Sequence, residues 1–469
     1  MTESRYPSPT EWAKMSRRDM IRKSAVAGGV VVAGGGLLAA CGGDSEGVDT
    51  GSSDTSTNTD AESTEEAAAP APSGIAIGNA SGSVSIGSNA SDEAPQAGLA
   101  AVVAAYEGAN PNVDVAINTL DHNTYQENIT TILQAQDDDV LAWFAGFRNK
   151  FFADQGLVGD ISDVWGEISG LGEGFRAAST ASDGKQYFVP TAYYTWAVNY
   201  SRPVFEENGW SEPTDLDSLL SLSEDMMAKG ITPFAFANDG KWPIMGTFDV
   251  LNMRVNGYDF HIDLMGGKES WTDERVRAVF DTWETLLPFH QEGANGRTWQ
   301  ESAIDMMEGR AGMYLLGTFA ASADDRLLDE MDFFNFPALD ESIGALSLDA
   351  PIDGYQMVAS PDNVDAAKEL LLWMSTPESQ NAYLSEDPSV VASNSGADSA
   401  GYNRLQKKSA ELANAATGIS QFLDRDTIPD FAGACGDMFA EFIEDPSGVG
   451  DALADLQEKK EAIFADFGN

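Results

Sequence analysis

The interpretable hydrophobic pattern begins near Ile75. Gly82-Ser83-Val84-Ser85-Ile86-Gly87-Ser88 alternates polar and apolar positions and predicts a short strand that ends in small polar residues. Over Ala94–Asn110 the period changes to that of a helix, with Leu99, Val102, Val103 and Tyr106 on one face. Val113–Ile117 predicts a second strand, Tyr125–Gln136 a second helix and Val140–Phe144 a third strand. Strand and helix alternate at the spacing of a parallel α/β sheet. Further helices are expected over Asp215–Lys229, Thr272–Leu287, Trp299–Glu308, Val364–Ser375, Pro377–Leu384, Tyr402–Ala416 and Gly448–Phe464. No internal repeat is visible.

Ahead of that body the pattern is different. Ser16-Arg17-Arg18-Asp19-Met20-Ile21-Arg22 is a twin-arginine pattern, and an uncharged run of Ala, Val, Gly and Leu from Ala25 to Ala40 follows it. The run, roughly 16 residues, is shorter than the ~20 a permanent membrane span needs. It closes on Leu38-Ala39-Ala40-Cys41, which resembles a lipobox. A basic start, an apolar middle and small residues before the cut make an export signal. Residues 1–40 are therefore expected to be a twin-arginine lipoprotein signal peptide. Cys41 is the expected lipidation site, holding the mature chain on the outer face of a membrane. Residues 42–73 hold eight acids, no base and little to bury, so 41–73 reads as a lipidated cysteine with a disordered acidic tether.

Charge narrows the partners. The chain has 75 Asp+Glu against 27 Lys+Arg, and from Cys41 onward 72 acids face 21 bases, a net of −51. Nucleic acid is excluded as an expected partner, because phosphate contacts need clustered Lys and Arg. An anionic membrane would repel the body, which leaves the lipid to do the anchoring. Of the two cysteines, Cys435 has no partner once Cys41 is acylated, and Phe431-Ala432-Gly433-Ala434-Cys435-Gly436 reads as a buried small-residue setting.

Catalytic motifs are missing. His122, His261 and His290 do not stand in a metal-ligand spacing, so no metal or other cofactor is expected. No Gly-x-Ser-x-Gly elbow and no phosphate-binding Gly-rich loop occurs. With 75 acids, a carboxylate pair is expected by chance. What stands out is a set of aromatics in loops after predicted strands: Trp143, Phe144 and Phe147; Tyr193, Tyr194 and Trp196; Trp242, Trp299, Phe319 and Tyr355. Ligands of open α/β sheets bind beyond the carboxyl ends of strands. There an aromatic face stacks on a sugar ring while Asp, Asn, Arg and Lys take the hydroxyls. The same rings also suit a core.

From about Ile75 onward the chain resembles the extracellular solute-binding proteins of ABC importers, in the sugar-binding branch that includes maltose-binding protein. Val140–Val158 resembles that branch's strand, aromatic loop and following helix. Gly184-Lys185-Gln186-Tyr187-Phe188-Val189-Pro190, then Val198-Asn199-Tyr200-Ser201-Arg202, resembles its first inter-lobe crossing, with Tyr-Ser-Arg where Tyr-Asn-Lys is usual. Pro213–Leu219, Gly230–Phe234, Met307–Phe319 and Ala366–Gln380 are similar to family wording, in order and spacing.

The resemblance implies an α/β fold of the type II periplasmic-binding-protein kind, two lobes joined by a three-crossing hinge and closing on a sugar. Crossings are implied near Val189-Pro190, Gly354–Ser360 and Ser393–Ala397. They give lobe one as 74–189 plus 355–394 and lobe two as 190–354 plus 395–469. Matched motifs imply ligand contacts at Asn89, Ser91, Phe144, Phe147 and Arg148 in lobe one. Tyr194 comes from the first crossing, Asn238, Lys241, Trp242 and Phe319 from lobe two, and Asp353 and Tyr355 from the second crossing. Maltose-binding protein has an acid where this chain has Tyr194, which leaves the sugar's identity open. The implied role is a monomeric, non-enzymatic, extracytoplasmic receptor that passes a mono- or oligosaccharide to ABC permease subunits. A binder of another solute, such as a polyamine, and a secreted glycosidase are the alternatives. The glycosidase would need a carboxylate pair about 5–10 Å apart in the cleft.

Overall fold

The computed structural model describes residues 74–466. The twin-arginine pattern, Cys41 and the acidic segment 42–73 lie outside the described residues. No helix among the described residues is long and apolar enough to cross a membrane.

Two sheets organise the body. The first has six strands, in the spatial order β11-β4-β10-β3-β1-β2. Its strands are β1 (Gly82–Ser88), β2 (Val113–Thr119), β3 (Val140–Phe144), β4 (Val189–Tyr193), β10 (Ile352–Met357) and β11 (Val391–Ala392). The second has four, β6-β7-β5-β8, formed by β5 (Trp196–Ser201), β6 (Thr232–Phe234), β7 (Ala311–Gly317) and β8 (Met331–Phe334). β9 (Ser347–Asp349) and β12 (Gly418–Ser420) form a small parallel pair against helix Met245–Asn256.

The first sheet is parallel over β1, β2 and β3, as their spacing predicts, and mixed as a whole. β1 runs parallel to β2 and β3, whereas β10 is antiparallel to both β3 and β4. The direction matters for the site. β1, β2 and β3 all end at one edge, and β10 enters at that edge, with Asp353 opposite Phe144. β4 ends there too, with Tyr193 opposite Ile352. In the second sheet β5 begins where β7 ends, Trp196 opposite Gly317. The two sheets therefore bring strand ends and the loops beyond them to one common place.

The chain passes between the sheets at Tyr194-Thr195 and again between Asp349 and Ile352. Both places differ from the expected crossings at Val189-Pro190 and Gly354–Ser360. Val189–Tyr193 stays in the first sheet because it pairs with β10 and β11, and Ile352–Met357 belongs wholly to that sheet. A third passage follows Ala392.

The helices expected from periodicity are present; Pro377–Leu384 has the expected bounds, and the ends of the others shift by at most three residues. The shifts have capping causes. Asp215 caps Leu216–Ala228 in a reciprocal box with Ser218, and Thr298 does the same for Trp299–Met307 with Glu301. Asp121 accepts from the Thr124 amide, so the helix expected from Tyr125 begins at His122. Helices Met245–Asn256 and Pro429–Glu444 were not expected. Met245–Arg254 is buried on every side, and such a helix shows no amphipathic stripe. One large core packs round the second sheet, with Trp271, Trp283 and Phe280 fully buried; smaller cores lie on the faces of the first.

Candidate ligand-binding site

Between the two sets of strand ends lies a cavity of about 320 Å³. The first sheet contributes Ser88–Asp92 after β1, Asp121–Asn123 after β2, Ala142–Phe144 of β3 and Asp353–Tyr355 of β10. Facing them are Trp242, Thr298–Gln300 at the start of helix Trp299–Met307, Phe319 after β7, and Phe422, Asp424 and Arg425 after β12.

Phe319 is the hub of the aromatic wall. Tyr194 and Trp299 meet it edge-to-face at 5.0 and 5.2 Å between centroids, and Trp242 lies 6.0 Å away. Edge-to-face and offset pairs suit the ring quadrupoles. Trp196 stacks on Phe422 at 4.7 Å and 25°. Its close seat depends on Gly246, where a Cβ would come 2.2 Å from the indole.

The polar floor is built on Arg425, which is 5% exposed. Its Nη1 donates to Asp353 Oδ1 at 2.8 Å, and its guanidinium carbon sits 3.6 Å from the centroid of the Phe144 ring. Asp424 Oδ1 lies 3.6 Å from its Nε. Among the described residues, Arg425 is the only Lys or Arg on the cavity wall, against six aspartates: Asp92, Asp121, Asp239, Asp353, Asp387 and Asp424. Burial pushes the carboxyls of Asp353 and Asp424 up, with Arg425 opposing. Burial also raises Asp387, whose Oδ1 accepts from Ser389 Oγ at 2.5 Å. His122 is lowered to about 4, first by burial and then by Arg425, so its ring is neutral at neutral pH. Its nitrogens lie 2.8 Å from Gln126 Nε2 and 3.4 Å from Asn89 Nδ2.

Two hydrogen bonds cross the mouth. Trp242 Nε1 donates to Asn123 Oδ1 at 3.2 Å, and Gln300 Nε2 donates to Asp92 Oδ1 at 3.1 Å. Gly240 makes the approach possible: its φ is +79°, and a Cβ there would lie 2.8 Å from Asn123 Oδ1. These bonds tie the two sides of the cleft to each other.

Of the expected contacts, Asn89, Ser91, Phe144, Tyr194, Trp242, Phe319, Asp353 and Tyr355 line the cavity. Phe147, Arg148, Asn238 and Lys241 do not, and the correction has local causes. Phe147 and Arg148 open helix Phe147–Asp154, which turns them behind β3. Phe147 lies beside Phe151, and Arg148 is buried with its guanidinium 5.4 Å from the Trp143 ring. Asn238 is buried and donates to Asn295 Oδ1 at 2.7 Å. Lys241 has a left-handed backbone, φ 66°, that directs its ammonium to Asp437. Residues the expectation missed include His122, Asn123, Gln126, Gln300, Asp387, Phe422, Asp424 and Arg425. For His122 and Asn123 the signal was there: Asp121 followed by Thr124 is a helix cap that sets both in the first turn. Arg425 sits in a loop without periodicity, 72 residues from Asp353, and carried no signal.

An α/β fold with two sheets, three passages and a ligand-sized cavity at facing strand ends is that of a type II periplasmic-binding-protein-like solute receptor. The family model for bacterial extracellular solute-binding proteins matches residues 90–381, and the chain belongs to that family. Among solved structures, the bacterial solute receptor AcbH is 38% identical with a TM-score of 0.80, over 82% of this chain and 100% of that one. Its structure is described as revealing an exclusive substrate preference for β-D-galactopyranose. An uncharacterized ABC transporter extracellular-binding protein of Pyrococcus horikoshii is 23% identical over 59% of this chain and 64% of its own length. A probable sugar-binding periplasmic protein of Brucella melitensis is 24% identical over 51% and 57%. The chain thus spans less than two thirds of the length of these last two relatives. The matched proteins are solute receptors rather than enzymes.

Proposed function

We propose that this chain is the extracytoplasmic sugar receptor of an ABC importer and that it closes on a neutral pyranose. The carrying observation is the cavity between the two sets of strand ends, with an aromatic wall centred on Phe319 and a polar floor centred on Arg425 and Asp353. Rings take the apolar face of a sugar, and fixed donors and acceptors take its hydroxyls. At about 320 Å³ the cavity is at the small end of ligand sites, which run from ~300 to ~1,000 Å³. That size favours one or two rings over a long chain. The six wall aspartates disfavour anionic sugars. The likeness to AcbH over most of the chain supports a hexose such as D-galactose.

In this reading, Asn89, Ser91, Phe144, Tyr194, Trp242, Phe319, Asp353 and Tyr355 contact the sugar together with His122 and Arg425. Residues 74–193 plus 351–394 form one lobe, and 194–350 plus 395–469 the other. The lobes close by a hinge motion and pass the sugar to permease subunits. Residues 1–40 direct export by the twin-arginine route, and Cys41 holds the monomer on the membrane by lipid.

The test is calorimetric titration against D-galactose, D-glucose, raffinose, chitin oligosaccharides, galacturonate and spermidine. Saturable binding of a neutral sugar, with no product formed, is expected. Spermidine binding alone would transfer the site to a polyamine, and cleavage of an oligosaccharide would make the protein a glycosidase.

A further inference from the structure

Asp92 stands at the N-cap of helix Glu93–Ala109, with the extended backbone of that position (φ −77°, ψ 154°). An aspartate there ordinarily accepts from the second or third amide of its helix. Pro95 is the third residue and has no N–H to give, and the Asp92 side chain makes no capping bond. Its Oδ1 instead accepts from Gln300 Nε2 at 3.1 Å, from the other side of the cleft. Gln300 is the second residue of helix Trp299–Met307, whose start is fixed by the Thr298–Glu301 box. The bond therefore joins the first turns of two helices, one from each side. Burial pushes the Asp92 carboxyl up, with the Gln300 bond opposing and the charge of Asp121 adding to the rise.

The other cross-cleft bond, from Trp242 to Asn123, is tied to this one at both ends. On one side Ser91 Oγ accepts the His122 N–H at 3.2 Å, which fastens the loop carrying Asp92 to the turn carrying Asn123. On the other, Trp299 and Trp242 both meet Phe319, at 5.2 and 6.0 Å. Asp92, Asn123, Trp242 and Gln300 are each half-buried, whereas Arg425 on the floor is 5% exposed. Polar pairs that water reaches gain little over their bonds to water, so these hold the two sides without locking them.

We infer that Asp92 and Gln300 are positioning residues that form, with Asn123 and Trp242, a weak latch across the cleft, and that the latch sets how long a bound sugar stays. The inference rests on the sugar-receptor reading and its hinge. A bond made only where the two sides meet stabilises the bound state and not the encounter, so its loss shows in the dissociation rate.

The experiment measures association and dissociation of D-galactose by stopped flow on the full chain. The variants are Gln300→Ala, Asp92→Ala, the two together, Gln300→Lys and Gln300→Glu. Each alanine variant should release the sugar about fivefold faster, with association changed by less than about twofold. The double variant should be no faster than either single one, because both remove the same bond. Gln300→Lys sets an ammonium against Asp92 and should slow release; Gln300→Glu opposes two carboxylates and should speed it beyond alanine. Melting temperatures without sugar should stay near wild type, which separates a lost latch from a damaged fold. Unchanged dissociation in both alanine variants, or single effects that add fully in the double, would overturn the latch. Equal rates for Gln300→Lys and Gln300→Glu would overturn it too. A wild type that binds no sugar sinks the receptor reading instead. Small-angle scattering without sugar then decides the latch: Gln300→Lys should be more compact than Gln300→Glu, and equal radii of gyration overturn it.

Discussion

The indole N–H of Trp242 donates to the side-chain oxygen of Asn123 across 119 positions of sequence, from the second sheet's side of the cleft to the first. The same indole lines the cavity and lies 6.0 Å from Phe319. One residue thus closes the mouth and walls the site, and its loss should affect binding more than folding. Trp242→Ala is expected to weaken sugar affinity by about tenfold or more, since anchors of this type cost roughly 2 kcal/mol. Trp283→Ala, at a fully buried ring of the large core, should instead cost about 3–5 kcal/mol of stability. Titration calorimetry and melting curves on the two variants separate the roles. A Trp242 variant that melts as low as the Trp283 variant and still binds would remove Trp242 from the site.

Arg425→Met tests the floor. It leaves buried Asp424 and half-exposed Asp353 without their cation; breaking a fully buried ion pair costs about 3–5 kcal/mol, and the solvent exposure of Asp353 reduces that here. Lower thermal stability is expected at pH 7, with partial recovery at acid pH as the carboxylates take up protons. Arg425→Met together with Asp353→Asn should regain part of the loss. If neither variant differs from wild type in melting or in galactose affinity, the floor is not built as described.

Glu369 supports the start of the fold. It is 2% exposed and accepts from the amides of Gly78, Asn79 and Ala80 at 2.7–2.9 Å, and from Tyr106 Oη and Asn110 Nδ2. Burial pushes this carboxyl up, but the donors outweigh it and the net shift is downward. A depressed folded value means stability that is full above the unfolded value of about 4.3 and is lost as pH falls through the folded value. Glu369→Ala should cost about 3 kcal/mol or more, because several buried donors lose their acceptor. It should also flatten the acid limb of the stability curve. Urea titrations at neutral and acid pH measure both; an unchanged acid limb would remove Glu369 from acid unfolding.

For the anchor, Cys41→Ala should move the protein from the membrane pellet to the soluble fraction of its host. Retention in the pellet would exclude lipidation at that residue.

Local patterning reached a good part of this molecule. Alternation, apolar runs and helical period located β1, β2, β3 and nine helices, because an element that packs one stripe on a core, or lies wholly inside it as β3 does, shows that in its own sequence. Eight of the twelve contacts implied by the family resemblance line the cavity; of these, Asn89, Ser91 and Tyr194 stand just beyond β1 and β4, where strand ends carry residues to the binding edge. Phe147, Arg148, Asn238 and Lys241 stand only a few residues from such strand ends. A helical turn or one left-handed residue rotated them away, and a rotation of that kind is set by packing.

Composition and order along the chain also decide the acidity, the lack of a catalytic motif and the family. Tertiary structure alone decides the floor of the site. Arg425 meets Asp353 and Phe144 only after β10 has entered antiparallel beside β3, and after β12 has paired with β9. The same holds for Asp249 beneath Leu423, and for Gln300 against Asp92. These partners lie 72, 174 and 208 positions apart. Hydrophobic periodicity acts over one helical turn or one pleat, whereas these pairings exist because separate layers, each driven together by burial of its own apolar face, bring unrelated loops to one edge.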